Sequence, residues 1–364
     1  MSKEETERLK KKLTQRRKPV KPDWNKGLSS GSTLLNLATT GRNFATVLPG
    51  DLLWVIGDSN SGKSWMTLSC MAEAANNKHY DDYRLIYDSV ENGAKMDKGR
   101  FFGRKMEERL EAPRYDGELP LYSSTVEEFY CNIDDALESG TPVVYALDSM
   151  DALDSEQDED KFEEVKEAFL KGKKAESGSY GTAKAKANSS GLRRVANKLE
   201  KTKSILIIIS QTRENIGFGS QFNPKTVSGG KALKFYSHVQ LWMSTVGDIK
   251  ATRKGKTRSL GVNVAVKVDK NRYSGQKHKI EFPIRWNYGL DDLSSMIDWL
   301  VEEGVWKKTK GMIEAKGLDL KGTVDGLVAQ IEEKKLQREL KGLVTEAWED
   351  IIESCNTGRE KRYD

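Results

Sequence analysis

Histidine and cysteine are scarce: three of each occur in 364 residues. A histidine-based metal centre or a nucleophile–histidine triad therefore has little material to draw on. Cys70, Cys131 and Cys355 are widely separated, without the close spacing of a metal or redox motif, and they suit a reducing cytoplasm. Long apolar runs are also missing. Stretches such as Ile205-Leu206-Ile207-Ile208-Ile209 fall far short of the ~20 residues that a membrane helix needs, so no membrane partner is expected. The opening residues, MSKEETERLKKK, contain no apolar segment, which argues against a secretory signal.

What is abundant is charge. Charged residues make up 32% of the chain and hydrophobic residues 37%, with a net charge of +5. The distribution says more than the sum. Residues 2–21 carry nine Lys/Arg against three Glu, residues 154–167 are mostly acidic, and residues 171–203 carry ten Lys/Arg against two Glu. Basic segments of this kind fit a polyanionic partner.

Apolar runs at 52–56, 84–88, 143–148, 204–209, 238–243 and 262–268 read as strands, and helical stretches separate the first four. Strand and helix in alternation predict an α/β fold with a mainly parallel sheet. The later strands follow closely on one another, as in an antiparallel extension. Residues 3–13 read as a short helix on a basic linker, the core begins near Leu28, and the chain from Leu290 onward reads as helical. This divides the chain into an N-terminal element (1–26), a core (27–290) and a C-terminal helical region (291–364). Two stretches, 172–191 and 213–230, read as long loops, which in a compact domain are functional or disordered.

The segment GDSNSGKS, Gly57 to Ser64, follows the apolar run LLWVI and precedes SWMTLSCMAEAAN. A strand, then G-x-x-x-x-G-K-S, then a helix is a phosphate-binding loop. Gly57 and Gly62 allow the N–H groups of Asp58, Ser59, Asn60 and Ser61 to face phosphate oxygens. Lys63 reaches the terminal phosphates, the Ser64 hydroxyl ligates Mg²⁺, and Trp65 continues into the helix, whose N-terminus favours anions. VVYALDS ends an apolar strand in Asp148, the expected carboxylate on the metal side. RLIYDSVENG offers two acids for a water-activating role, with Glu91 the first choice and Asp88 the reserve. Gln211, after ILIIIS, is placed to contact a γ-phosphate and report its loss into the loop that follows.

With GDSNSGKS, YDSVENG, VVYALDS, SQTRENIGFGSQFNPKTVSGGKALKFYSHV and VKVDKNRYSG in this order, the chain from about Gly27 to Trp306 resembles the RecA family of recombinases. In particular it resembles the phage-encoded, UvsX-like branch. GGKALKFYSHV is the most specific of these stretches. The resemblance implies a RecA-like P-loop ATPase core. It also implies a helical filament on single-stranded DNA, with ATP and Mg²⁺ bound between neighbouring copies. DNA-stimulated ATP hydrolysis, homologous pairing and strand exchange with double-stranded DNA would follow. Mediator and single-stranded-DNA-binding proteins are the further partners implied.

By position, Lys63, Ser64 and Asp148 match nucleotide and Mg²⁺ ligands, Glu91 the catalytic acid and Gln211 the γ-phosphate sensor. Arg100 falls where the family stacks a side chain on adenine. Lys270 and Arg272 match a basic pair that reaches the neighbour's ATP, so the resemblance also makes them catalytic. Arg193, Arg213, Phe222, Gly229 and Gly230 match DNA-contacting positions in two loops, near 154–191 and 212–230. Phe235 matches an interface position, and the N-terminal helix a polymerisation element. Two departures stand out: YDSVENG has one residue more between Asp and Glu than the family's D-x-E, and the first loop is longer and opens on an acidic helix. A hexameric DNA helicase on the same fold, and an ATP-switched DNA-coating polymer without strand exchange, are the alternative functions.

Overall fold

The computed structural model describes residues 4, 6–8, 21–91, 96–172, 182–214, 225–227 and 230–359. In chain order the first half of the protein comprises α1 (Thr33–Thr40), β1 (Leu52–Gly57), α2 (Lys63–Asn76), β2 (Arg84–Asp88), α3 (Lys98–Phe102), α4 (Arg104–Arg109), the hairpin β3 (Arg114–Asp116) and β4 (Leu119–Leu121), α5 (Val126–Glu138) and β5 (Val143–Leu147). It continues with α6 (Glu156–Leu170), α7 (Thr182–Thr202), β6 (Ile205–Glu214), β7 (Lys225–Val227), α8 (Gly230–Tyr236), β8 (Val239–Arg253), β9 (Lys256–Asn271), β10 (Lys279–Arg285) and β11 (Gly289–Leu290). The chain closes with α9 (Asp292–Glu302), β12 (Lys307–Thr309), β13 (Met312–Ala315), β14 (Leu320–Gly322), α10 (Val324–Glu333) and α11 (Gln337–Ser354).

One sheet runs in the order β11-β10-β9-β8-β1-β6-β5-β2, with β7 added to β6. β8, β1, β6, β5 and β2 are parallel neighbours, while β8 to β11 are joined antiparallel, as the spacing of the apolar runs predicts. Helices cover both faces, so β1 is buried along its whole length and reads as a continuous apolar run. Its alternation sorts the core. Leu53 and Val55 face α2, where Met66, Leu68 and Met71 are buried. Leu52, Trp54 and Ile56 face the other side, with Phe129 and Ile133 of α5 and Leu192, Val195 and Leu199 of α7. α5 starts where Thr125 accepts a hydrogen bond from the Glu128 N–H, with Glu127 and Glu128 favourable to the helix dipole in its first turn.

Three sequence expectations change. Residues 182–191 belong to α7 and not to a loop, because Ala and Lys favour helix there and Asn188 begins the buried face that continues through Leu192 and Val195. Residues 225–227 of the second expected loop form β7, which prolongs β6 to Glu214. The C-terminal region is not wholly helical: β12, β13 and β14 form a small antiparallel sheet whose Ile313 and Leu320 are buried in the same core cluster as Trp306. Strands of three or four residues are too short to show alternation. Of the N-terminal helix expected at 3–13, residues 4 and 6–8 are helical and the rest lie outside the described residues. Among the described residues no helix is long and apolar enough to cross a membrane.

Candidate nucleotide site

Local sterics fix the phosphate loop. A Cβ on Gly57 would stand 2.4 Å from both the Met243 carbonyl oxygen and Ser61 Oγ. Gly62 has φ +86°, and a Cβ there would meet Ile284 Cδ1 at 2.6 Å. Both positions therefore require glycine, one for space and one for its left-handed backbone. Lys63 opens α2 and is largely buried, with Nζ donating to the Asp58 carbonyl at 2.6 Å. Burial lowers the Lys63 pKa, opposed by Asp148, Glu91 and Asp58 nearby. The hydroxyls of Ser61 and Thr67 are buried without a hydrogen-bond partner among the described residues.

Asp148 follows β5, which is separated from β1 by β6, yet its carboxylate still reaches the loop. Ser64 Oγ donates to Asp148 Oδ2 at 2.7 Å, and the Tyr87 hydroxyl donates to the same oxygen at 2.5 Å. Burial raises the Asp148 pKa, with these two hydrogen bonds opposing it. Across the site, Glu91 Oε1 accepts from Gln211 Nε2 at 2.7 Å and from the Ser149 hydroxyl. The Gln211 N–H is itself held by Asp151 Oδ2 at 2.6 Å. A cavity of about 640 Å³ gathers Lys63, Ser64, Glu91, Asp148 and Gln211, with Trp65 and Trp286 in its walls.

Asp88 lies elsewhere. Strand alternation turns it to the α5 face, where it accepts from the Ser123 N–H (3.1 Å), the Ser123 hydroxyl (2.6 Å) and the Tyr145 hydroxyl (2.8 Å). Of the two candidate acids, the structure brings Glu91 into the cavity. Arg100 is not among the side chains lining it: this exposed residue lies over the Phe101 ring at 5.2 Å. Trp65 connects the loop helix to that region, with ring centroids 5.3 Å from Phe101 and 5.1 Å from Phe102.

Lys270 and Arg272 face away from the cavity and cap the end of α8. Lys270 Nζ donates to the Lys234 carbonyl (2.5 Å) and the Phe235 carbonyl (2.9 Å), and Arg272 also donates to the latter. Burial, with Arg272 and Lys234 adding repulsion, pushes the Lys270 pKa down to about 8. Phe235 is 67% exposed. Arg193 is exposed on α7, and Arg213, 63% exposed, comes within 3.9 Å of Asp151. Gly230 starts α8, whereas Phe222 and Gly229 lie outside the described residues.

Several residues at the site were not singled out from sequence. Tyr87 could have been: it neighbours Asp88, so alternation sends it to the opposite, α2-facing side. Asp151 stands three residues past Asp148 and holds β6 by the Gln211 N–H. Trp286 and Thr245, whose hydroxyl donates to the Asn60 carbonyl at 3.2 Å, come from the antiparallel extension and had no local motif to mark them.

The donor set suits a nucleoside triphosphate with a divalent cation. Ser64 and Asp148 offer hard oxygen ligands. Among the described residues no group of three or more His, Cys, Asp or Glu is placed to hold a metal. A cation at Ser64 and Asp148 would thus draw its other oxygens from phosphate and water, the usual arrangement for Mg²⁺. Comparison with known proteins agrees with this fold. Residues 144–291 match the RecA N-terminal domain family. Protein RecA of Chlorobaculum parvum is 30% identical over 285 residues, covering 78% of this chain and 72% of the relative. Protein RecA of Paramagnetospirillum magneticum is 28% identical over 284 residues (78% and 69%), and that of Streptomyces venezuelae 27% over 283 residues (77% and 65%). The chain belongs to the RecA family.

Proposed function

We propose that this protein is an ATP-dependent DNA recombinase of the phage-encoded, UvsX-like kind. It assembles as a helical filament on single-stranded DNA, hydrolyses ATP at protomer interfaces and exchanges homologous strands with duplex DNA. Residues 27–290 serve as the ATPase core, residues 1–26 as the polymerisation element and residues 291–364 as an appended region. Mediator and single-stranded-DNA-binding proteins assist loading.

ATP with Mg²⁺ supplies a transferable phosphoryl group and neutralises its charge. Around it, Lys63 places a cation against the terminal phosphates, and Ser64 and Asp148 hold the metal. Glu91 takes the proton of the attacking water, a role worth typically 10²–10⁴-fold in rate. Gln211 contacts the γ-phosphate region. Lys270 and Arg272 act on the neighbouring copy's site, supplying positive charge in trans. Arg193 and Arg213 hold the DNA backbone, Gly229 and Gly230 present N–H groups to it, and Phe222 stacks on bases.

The observation that carries this reading is the course of β6. Within three residues the strand runs from Gln211, bonded to Glu91 inside the cavity, to the exposed Arg213 at the root of segment 215–224. One rigid element thus joins a phosphate-sensing position to a DNA-facing one. Electron microscopy with single-stranded DNA and a slowly hydrolysed ATP analogue, together with a labelled-strand exchange assay, tests the proposal. Helical filaments, DNA-stimulated hydrolysis and exchange are expected. Closed rings that unwind a forked duplex would replace it with a helicase. DNA remodelling unaffected by Glu91→Gln would replace it with a switched coating polymer.

A further inference from the structure

Three carboxylates line the nucleotide cavity, and the mechanism above uses two of them, Glu91 and Asp148. The third, Asp248, comes from β8 and has no role there. It shares the cavity with apolar and aromatic walls: Trp65, Met96, Ile284 and Trp286. No motif in the sequence marks it.

The backbone is bent to place Asp248 where it is. On the β8–β9 ladder Thr245 pairs with Val264, Gly247 with Asn263 and Asp248 with Val262. Val246 is therefore one residue too many on β8, a β-bulge, and its side chain is exposed. Directly opposed residues share a face of a sheet, and faces alternate along a strand. Thr245 and Val262 both line the cavity, so Asp248, opposite Val262, faces it as well. In an unbroken strand Gly247 would follow Thr245 on that face, and Asp248 would point away. Bulges beside ligand sites commonly re-aim a side chain in this manner. Thr245 also ties the strand to the phosphate loop, its hydroxyl donating to the Asn60 carbonyl at 3.2 Å. Asp248 stands two rungs past Thr245, about 7 Å farther along the strand.

The fold gains little from this carboxylate. Lys250 Nζ lies 2.9 Å from Asp248 Oδ2, with both side chains about half exposed, and such pairs add little stability. A carboxylate offers about four acceptor positions, so one ammonium leaves it capacity for a bound molecule. It repels phosphate, which assigns it to the nucleoside. There it needs donors, and a nucleoside carries them on its sugar hydroxyls and on the outer edge of its base. The spacing from the Asn60 contact suits the sugar, which follows directly on the phosphates, and falls short of the far edge of the base. Two neighbouring hydroxyls also match the two oxygens of one carboxylate, and an acidic side chain on a ribose hydroxyl is a recurrent grip in nucleotide-binding folds.

We propose that Asp248 is a specificity-determining residue that accepts hydrogen bonds from the ribose hydroxyls of the bound nucleotide. The bulge at Val246 aims it, and the site therefore prefers ribonucleotides to deoxyribonucleotides. This rests on the nucleotide reading of the same cavity. The test is isothermal titration calorimetry of the full chain with Mg²⁺ and without DNA, using ADP, 2′-deoxy-ADP, 3′-deoxy-ADP and GDP. The natural chain should bind each deoxy form about tenfold more weakly than ADP, the usual effect of losing a hydrogen bond to a charged acceptor. In Asp248→Ala the deoxy forms and ADP should bind within about twofold of one another, with unfolding temperature unchanged. Asp248→Asn, which keeps one acceptor oxygen, should fall between. Equal binding of ADP and both deoxy forms by the natural chain would overturn the proposal, as would unchanged discrimination in Asp248→Ala. A shift in the preference for ADP over GDP in Asp248→Ala, with sugar discrimination intact, would assign the carboxylate to the base and overturn it too. Binding without sugar discrimination leaves the ATPase reading standing; no binding of any nucleotide would remove both.

Discussion

The two edges of the central sheet handle polar groups in opposite ways. At the edge where β1, β5 and β6 end, Lys63, Ser64, Asp148, Glu91 and Gln211 converge on a cavity, and the Ser61 hydroxyl in its wall lacks a partner among the described residues. At the edge where β1 begins, most polar groups satisfy one another, the buried Gln240 Oε1 being an exception among the described residues. The Tyr273 hydroxyl donates to Asp51 at 2.6 Å and accepts from the Leu48 N–H at 2.9 Å, His238 Nε2 lies 3.1 Å from Asp51, and Lys270 and Arg272 cap α8. Open hydrogen-bonding capacity over a cavity marks a place for a ligand, since buried polar groups are otherwise almost always paired. Matched groups mark structure, unless a neighbouring molecule offers better partners. The first edge therefore offers a ligand site within one copy, and on the function proposed above the second would become a site only on assembly.

The largest expected effect separates two acids that stand three residues apart. Glu91→Gln should lower hydrolysis by about 10²–10⁴-fold with nucleotide affinity kept, read by single-turnover kinetics. Asp88→Asn should instead lower stability by about 1–3 kcal/mol in urea unfolding, because a carboxylate that accepts three hydrogen bonds becomes an amide with one acceptor oxygen. The reverse pattern would exchange the two roles and remove the cavity assignment.

Next in size is a mixing experiment on the far edge. Lys63→Ala and Lys270→Ala chains should each be nearly inactive alone. If Lys270 serves the neighbouring site, random co-assembly rebuilds about a quarter of the sites with both lysines intact, and that share of hydrolysis returns. If Lys270 acts within its own copy, no site is rebuilt and the mixture stays inactive.

These contrasts also show what the sequence makes legible. The phosphate loop is readable because glycine spacing, a preceding apolar strand and a following helix are local features. Asp148 is readable as an acid that closes an all-apolar strand. The choice between Asp88 and Glu91 needed the register: Leu85 and Tyr87 face α2, so Asp88 must face α5, and the chain turns back toward the loop only after β2 ends. Trp286 and Thr245 reach the cavity through long antiparallel strands whose pairing no local pattern dictates. The stretch 182–191 reads as a loop by its serine and glycine content, yet Ala and Lys propensity and the buried face of α7 outweigh them.

A smaller effect should appear with pH. A lysine whose pKa is pushed down to about 8 is charged below that value and loses its charge above it. Assembly from free copies, and with it hydrolysis, should therefore decline several-fold as pH rises above about 8. Lys270→Arg, whose guanidinium stays charged, should move that decline to higher pH. The same decline in Lys270→Arg would show that another group titrates.

The smallest effect lies in the matched cluster itself. Burial raises Asp51 from 3.8 to about 6, so its contribution to stability is fully present below the lower value and is lost as pH rises through the upper one. His238 is lowered from 6.5 to about 4, first by burial and then by Arg272 and Lys270, so its contribution is present above the higher value and lost as pH falls through the lower one. Between pH 4 and 6 the two slopes oppose each other and nearly cancel. Removing one partner should expose the other. Relative to the natural chain, Asp51→Asn should become more stable as pH rises across this window and His238→Gln less stable, each on the order of 1–2 kcal/mol by denaturant unfolding. Parallel curves for the three chains would mean that these groups do not titrate in the folded state as their burial requires, and the far edge would lose its character as a closed, self-satisfied cluster.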